Sequence, residues 1–405
     1  MGGVLRLGVT RGGSQRFDLS MAEISQGGIF LPGASGSGKT TTLARLCDSV
    51  LSCGGSVVIV NCKGTGLGGV VRRLAKRHRV PLHIVDPHDP GSLGYDPCTG
   101  NGATVANKVV GSFVFGGEAE IYKNIAMQVM PPLCTAMAAA GREVTLEGMH
   151  DALGKGGLAK LGRATKDPKQ RAKLEDLEDG GALARAGYEG LRSRLGALTE
   201  GTYGDLFAKR PALDWEAATS APAVTYLALS ATAAGEDTEL FGRVITQDLK
   251  QLCSQRMRAA EREEATAATP VLVCYDEFAA LREAPQIVDL LLQARQAEVS
   301  VLLATQFVPE DIPIRQPALS AGVIITHRLE AGDAELVAAQ FGTHRVPFVT
   351  SQVDYLTGES EKGSVRMEEE FDIHPNQLKS LKPGVAAVLS RGTQRKAVVQ
   401  VDALR

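Results

Sequence analysis

No apolar run in the sequence approaches the roughly 18 residues that a membrane-spanning helix needs. The opening Met1-Gly2-Gly3-Val4-Leu5-Arg6 has no charged leader followed by an apolar core, so no secretory signal is visible. Cysteine is sparse, with seven residues placed singly at 47, 53, 62, 98, 134, 253 and 274. No two of them have zinc-site spacing, and an odd number cannot complete a disulfide framework. A reduced, cytosolic compartment is the expectation. The seven histidines show no paired ligand spacing either, so no metal beyond Mg²⁺ is expected. Excess charge is also missing: 44 Lys and Arg face 46 Asp and Glu, a net charge of −2. Any attraction for nucleic acid must therefore come from local basic patches.

What is present is ordinary for a folded protein. Hydrophobic residues make up 44% and charged residues 22% of 405, which excludes a disordered chain. At about 150 residues per domain, two or three domains fit. The first strong pattern is an apolar strand at Gly27 to Pro32, followed by glycines and then Leu43, Leu46 and Val50 at helical spacing. Val57 to Val60 is a β-branched run, Val70 to Arg79 a basic helix, and Leu82 to Val85 another strand. Alternation of continuous apolar strands with helices predicts an α/β fold, a mostly parallel sheet covered on both faces. Further strands are expected at Ala223–Leu229, Val271–Tyr275, Val299–Ala304, Val323–Thr326 and Val385–Leu389. Long helices are expected through Leu240 to Leu252 and from Ile287 to Gln296.

Between about Gly116 and Gly204 no strand pattern is found, and Ala, Leu, Lys, Glu and Gly dominate. Helices are expected to begin near Ile121 and at Val144-Thr145-Leu146-Glu147. The tract Lys155 to Gly181 has a basic half and an acidic half, which reads as a solvated surface helix. The domain organisation expected is a discontinuous motor domain, residues 1–115 and 206–405, with an inserted all-α domain at 116–205.

Chemistry concentrates in a few places. Gly33-Ala34-Ser35-Gly36-Ser37-Gly38-Lys39-Thr40 matches G-x-x-x-x-G-K-[ST] between a strand and a helix, and Thr41 extends it. Glycines let successive N–H groups converge on phosphates, and the following helix adds its positive end. Lys39 would reach the β- and γ-phosphates of ATP, and the Thr40 hydroxyl would ligate Mg²⁺. A second motif ends an apolar strand: Asp276 would hold the Mg²⁺ hydration shell, and Glu277 would orient and deprotonate the attacking water. Two adjacent acids also suit a helix N-terminus, but the phosphate loop favours the catalytic reading. Gln306 follows Val299–Thr305 and would sense the γ-phosphate or the water. Lys63 and Gly64 suit a solvated turn as well as a coupling role. Arg72, Arg73, Lys76, Arg77, His78 and Arg79 suit a solvated helix face as well as a nucleic-acid contact.

The order of these motifs resembles the FtsK/HerA superfamily of P-loop ATPases, and within it the TraG/TraD-type coupling proteins of type IV secretion. The resemblance rests on Gly33–Thr40, Asn61-Cys62-Lys63-Gly64, Asp276-Glu277-Phe278-Ala279, Ala304-Thr305-Gln306, and the tail passages Val353–Ser360 and Leu381-Lys382-Pro383-Gly384. It implies a RecA-like motor that hydrolyses ATP and assembles into a ring, a hexamer. Its implied partners are single- or double-stranded DNA, with a bound relaxase, and a secretion-channel or membrane-anchor protein. It also assigns Arg295, eleven positions before Gln306, as a finger reaching the neighbouring subunit's nucleotide. A helix-ending surface arginine is the alternative.

Two departures stand out. Asn61 and Cys62 occupy the place where the family has an aspartate before its lysine, and only about 30 residues precede the phosphate loop. Three explanations suit the second departure: a soluble member, an anchor on another chain, or a sequence that begins after the anchor. Three other functions fit the same residues. One is a soluble FtsK/HerA-type double-strand translocase; a second is a small-molecule P-loop kinase, disfavoured by the long helical insertion and large C-terminal tail; the third is a nucleotide-gated docking platform that does not translocate.

Overall fold

The computed structural model describes residues 3–262, 269–281, 285–353 and 360–404. Among these residues thirteen strands form in chain order: β1 (Val4–Thr10), β2 (Arg16–Ser20), β3 (Ile29–Pro32), β4 (Ser56–Asn61), β5 (Leu82–Val85), β6 (Val224–Ala228), β7 (Val271–Asp276), β8 (Val299–Thr305), β9 (Val323–Thr326), β10 (Thr343–Val353), β11 (Ser360–Phe371), β12 (Val385–Ser390) and β13 (Arg395–Val401). Two compact units are present, Met1–Leu46 with Leu303–Arg405, and Cys47–Leu302. The fold class is α/β, with parallel central strands and helices.

In the second unit, β7, β4, β6 and β5 lie side by side in that order. All three pairings are parallel, for example Val58↔Val273, Val58↔Thr225 and Ile84↔Tyr226. Every residue of β4, β6 and β7 is buried. That is why these strands read as unbroken apolar runs instead of alternating ones. Parallel strands demand crossovers, and helix Gly68–His78 supplies one between β4 and β5. Its Val70, Val71, Leu74 and Ala75 are buried, while its cations stay in water.

Residues 116–205 hold α-helices and no strand. Helix Glu120–Ala139 buries Val129, Met130 and Leu133. Helix Leu146–Ala152 is capped by Thr145, which accepts from the Gly148 N–H at 3.0 Å. The polar tract forms two helices, Gly157–Ala164 and Pro168–Glu178, anchored by buried Leu158, Leu161 and Leu174. Three leucines suffice to fix a segment whose composition suggested only a solvated face.

In the first unit, β3 pairs with β9 in parallel, and β12, β13, β1 and β2 continue from β9 with antiparallel pairings. The strands β1, β2 and β13 were not expected from the sequence, because their short alternating patterns contain Arg, Asp and Gln. Glu23 ties this region together. Its carboxylate accepts from Ser390 Oγ (2.6 Å), Thr393 Oγ1 and Arg395 (both 2.8 Å), and from the Ser20 N–H in a capping box. β10 and β11 form a separate antiparallel two-stranded ribbon, also unexpected, pairing Thr343 with Phe371 and Phe348 with Arg366. Of the tail passage Val353–Ser360, residues 354–359 lie outside the described residues.

Candidate functional site

The first unit builds the phosphate loop on the carboxyl end of β3, where backbone bonds fix it from three sides. The Gly33 N–H donates to the Thr305 carbonyl (3.1 Å), and the Ala34 N–H donates to that of Arg328 (2.7 Å). The Gly384 N–H donates to the Ser37 carbonyl (2.9 Å). The ends of β8 and β9 and the turn before β12 thus hold the loop's shape. Ser37 is buried, and its hydroxyl donates to the Ala34 carbonyl at 2.6 Å.

Glycine is required here for two different reasons. At Gly38, φ is +120°, and a Cβ would lie 2.9 Å from the Gly384 nitrogen. At Gly36, φ is +71°, yet a Cβ would meet nothing within 4 Å. The first glycine lets the backbones pack; the second turns the chain beside open space. Ser35 and Gly36 are exposed, and the N–H groups of Ser35, Gly36 and Gly38 make no hydrogen bond among the described residues. Helix Lys39–Ser52 begins directly after them. Unsatisfied donors at a helix N-terminus, around open space, suit an anion of phosphate size. Lys39 folds over the loop, its ammonium donating to the carbonyls of Gly33 and of Ala34, the latter at 3.3 Å. Thr40 is exposed and Thr41 half-buried on the first helical turn. Gln306 is half-buried, one residue beyond the Thr305 carbonyl that holds Gly33. The structure therefore brings the loop and Gln306 to one edge.

Sequence reading missed a residue beneath this loop. His327, fully buried after β9, bonds through Nδ1 to the Val385 carbonyl (2.9 Å) and through Nε2 to Thr42 Oγ1 (2.8 Å). The carbonyl can only accept, so Nδ1 carries the proton and Nε2 accepts from the hydroxyl. Burial, with the Lys39 charge adding to it, lowers the imidazole to about 4 even though the Val385 bond opposes this. A Cβ at Gly33 would lie 2.7 Å from the His327 Cβ and one at Gly38 3.1 Å from the ring's Cε1, so His327 is a floor for the loop. The only available signal was a histidine ending a recognised strand, a place many histidines occupy.

The second unit presents Asp276 and Glu277 at the end of β7. Asp276 is buried, and its carbonyl accepts from the Cys62 N–H at 3.0 Å. Glu277 is half-buried with φ +60° and ψ +51°, a left-handed conformation that L-residues other than glycine rarely adopt. The strain is of order 1–3 kcal/mol and turns the carboxylate-bearing residue sharply away from the strand path. Beside it, Asn61 is fully satisfied. Its amide donates to Tyr226 Oη (2.9 Å) and the Thr65 carbonyl (3.3 Å), and its oxygen accepts from the N–H groups of Lys63 and Gly64 (3.1 and 3.2 Å). The asparagine that departs from the family pattern is thus a turn-forming residue. Burial pushes the Cys62 thiol well up, reinforced by Asp276 and Glu277, so it stays protonated and unreactive.

Arg295 lies in the short turn Arg295–Ala297 after helix Pro285–Ala294, exposed and without an acidic partner among the described residues. On the basic helix, Arg72 pairs with Asp89 (2.7 Å), while Arg77 and His78 pair with Asp48 (3.1 and 2.8 Å). Half of that cluster is therefore engaged within the fold. Among the described residues, no group of three or more His, Cys, Asp or Glu could hold a metal, and no helix is long and apolar enough to cross a membrane.

No family model and no curated protein matches the chain. Solved structures do. The bacterial conjugative coupling protein TrwBdeltaN70, in an unbound monoclinic form, superposes with a TM-score of 0.68 at 16% identity, covering 95% of this chain and 86% of that one. The plasmid coupling protein TrwB in complex with ADP and Mg²⁺ gives 0.66, 16%, 95% and 86%. VirB4 of Thermoanaerobacter pseudethanolicus gives 0.56 at 13% identity, covering 100% of this chain and 97% of that one. The chain has the fold these proteins share, the RecA-like P-loop NTPase fold.

Proposed function

We propose that the chain is a Mg²⁺-dependent ATPase that assembles as a hexameric ring and moves DNA, with an attached relaxase, toward a type IV secretion channel. The observation that carries this reading is the phosphate loop: open donors at Ser35, Gly36 and Gly38 under the Lys39 ammonium. It stands on a fold also found in a coupling protein bound to ADP and Mg²⁺.

In this reading the loop from Gly33 to Thr41 binds the phosphates, and Lys39 places its charge on the β- and γ-oxygens. Thr40 would ligate Mg²⁺ and Asp276 would hold its hydration shell, and the ion would supply neutralisation of phosphate charge. Glu277 accepts the proton of the attacking water, and Gln306 orients that water against the γ-phosphate. Arg295 acts on the nucleotide of the adjacent subunit, stabilising charge in the transition state. Residues 1–115 and 206–405 form the motor, and 116–205 form the all-α domain that engages substrate. The motor works in the cytoplasm, reaching the membrane through a partner protein.

The test is the ATPase rate with and without single- and double-stranded DNA at two salt concentrations. DNA stimulation that weakens with salt supports the motor. Stimulation confined to duplex favours a soluble double-strand translocase, and turnover indifferent to DNA favours a docking platform.

A further inference from the structure

A second glycine-rich loop lies in the other unit, after β4. Gly64-Thr65-Gly66-Leu67-Gly68-Gly69 has the spacing G-x-G-x-x-G, follows a buried parallel strand and opens helix Gly68–His78. Strand β5 comes next, and Asp86 stands directly after its last residue, Val85. In that strand–loop–helix setting, an acid about 20 positions on marks sites where phosphates meet the loop and a ribose meets the carboxylate. The N–H groups of Thr65, Gly66, Leu67, Gly68 and Gly69 make no hydrogen bond among the described residues. A Cβ on Gly66 or Gly68 would meet nothing within 4 Å. All of these residues but Leu67 line a cavity of about 390 Å³, inside the range of roughly 300–1,000 Å³ usual for small-molecule sites.

The rest of the wall carries both signs of charge. Asp86, Asp89, Arg72 and Tyr226 line the same cavity. Asp89 is engaged within the fold, by Arg72 (2.7 Å) and the Gly91 N–H (2.8 Å). One Asp86 oxygen accepts from the His88 N–H (2.9 Å), and the other accepts nothing among the described residues. Tyr226 is only 4% exposed, and its Oη accepts from the Asn61 amide (2.9 Å). Its own proton therefore has no acceptor among the described residues, in a buried group where that is costly. Burial raises the phenol even against the Asn61 bond, with the Asp86 and Asp276 charges adding to the rise, so it stays a donor. Arg73, with its guanidinium 3.7 Å from a Cβ placed on Gly69, brings a further cation to the first turn of the helix, and exposed Lys63 precedes the loop. A bare anion would meet the donors but also the Asp86 charge, and a bare cation would meet the donors. A phosphate at one end and a hydroxyl at the other satisfy both.

We propose that this cavity binds a ribonucleoside diphosphate, in addition to the nucleotide of the Gly33–Thr41 loop. The diphosphate takes the Thr65–Gly69 N–H groups and Arg73, the ribose 2′-hydroxyl donates to the open Asp86 oxygen, and the Tyr226 hydroxyl donates to a ligand oxygen. One feature departs from the usual arrangement: β6 lies between β4 and β5. The loop and Asp86 are thereby set apart by one further strand spacing, about 4.8 Å. Tyr226, on that inserted strand, lines the added width.

The test uses the full chain with its Gly33–Thr41 loop disabled by Ser35→Asp and Lys39→Ala, titrated with ADP by isothermal calorimetry. ADP binding is expected to persist. Adding Gly68→Asp should weaken it by about tenfold or more, because the new carboxylate takes the phosphate's place at the loop donors. The same carboxylate suits a helix N-terminus, so thermal melts should show no loss of stability. ADP should bind about tenfold more tightly than 2′-deoxy-ADP, and Asp86→Ala should erase that preference. No residual ADP binding, or residual binding indifferent to Gly68→Asp, would overturn the site. Inorganic pyrophosphate binding as tightly as ADP, with no preference for the ribose hydroxyl, would overturn the nucleotide assignment. ADP binding untouched by Ser35→Asp and Lys39→Ala but lost with Gly68→Asp would sustain this cavity and count against the Gly33–Thr41 loop instead.

Discussion

Thr42, on the first turns of the helix after the phosphate loop, donates its hydroxyl to Nε2 of His327 at 2.8 Å. The bond exists only while the imidazole is neutral, and burial with the Lys39 charge keeps it so down to about 4. In the unfolded chain the same histidine titrates near 6.5. A base whose folded pKa is depressed stabilises the fold above the unfolded value. That stability is lost as pH falls from about 6.5 toward 4, where the unfolded chain binds the extra proton. The difference is worth about 3 kcal/mol at most. Denaturant unfolding at pH 7, 5.5 and 4.5 should show this loss, and His327→Gln should flatten it while lowering stability at pH 7. An equal slope in the variant would place the titration elsewhere.

Glu23 extends the acid sensitivity to lower pH. Burial works against its ionisation, but hydrogen bonds from Ser390, Arg395 and Ser20 bring the carboxyl down to about 2. Its contribution is present above the usual carboxylate range near 4.3 and is lost as pH falls toward 2. Glu23→Gln should therefore reduce the pH dependence below about 4.5, leaving the part due to Asp372 and the histidine phase intact. A variant whose unfolding curve tracks wild type throughout that window would contradict the assignment.

Lys39→Ala should abolish ATP turnover, because no other side chain on the loop supplies a point charge to the phosphates. It should also raise the His327 pKa, since the ammonium contributes to lowering it. An NMR titration of the imidazole checks the second effect without any nucleotide. Undiminished hydrolysis would remove the loop from the mechanism.

At Glu277 the backbone and the carboxylate make separable predictions. Glu277→Gln should retain ATP binding and lose about 10²–10⁴-fold in turnover. Glu277→Gly should lose turnover equally but keep wild-type stability, because glycine accepts φ +60° without strain. Glu277→Val should destabilise by more than about 1 kcal/mol, since a β-branched residue resists that conformation. Thermal melts of the three variants, run beside steady-state rates, separate the roles. A valine variant as stable as wild type would mean the left-handed turn is not held there.

Arg295→Ala should depress turnover with nucleotide affinity almost unchanged, the interaction forming only as charge develops. Specific activity of the wild type should rise with protein concentration. Mixed Arg295→Ala and Lys39→Ala subunits should exceed the sum of their separate rates, since one copy supplies the finger and the other the site. No gain, with mixed rings confirmed by sedimentation, would return Arg295 to a helix-ending surface residue.

The strand, glycine loop and helix of Ile29–Ser52 were legible from consecutive residues because their physics is local. An apolar strand, glycines that permit positive φ, and a helix start lie within a few residues of one another. The buried parallel strands β4, β6 and β7 were legible for a similar reason, since burial on both faces leaves an unbroken apolar run. The strands β1, β2 and β13 and the β10–β11 ribbon were not, because polar residues on their open faces break that signal. His327 and Thr42 are 285 positions apart, and no spacing rule connects them. Only the pairing of β3 with β9 brings the ring under the loop, and only β12 supplies the carbonyl that fixes its tautomer. The same holds for Gly38, whose need for glycine comes from Gly384 across the fold. At Glu277 the residue type was readable, but its left-handed backbone was not, since glutamate has no preference for it. Residue chemistry at short range determined the glycine loop between strand and helix; long-range packing decided what holds that loop in place over a neutral His327.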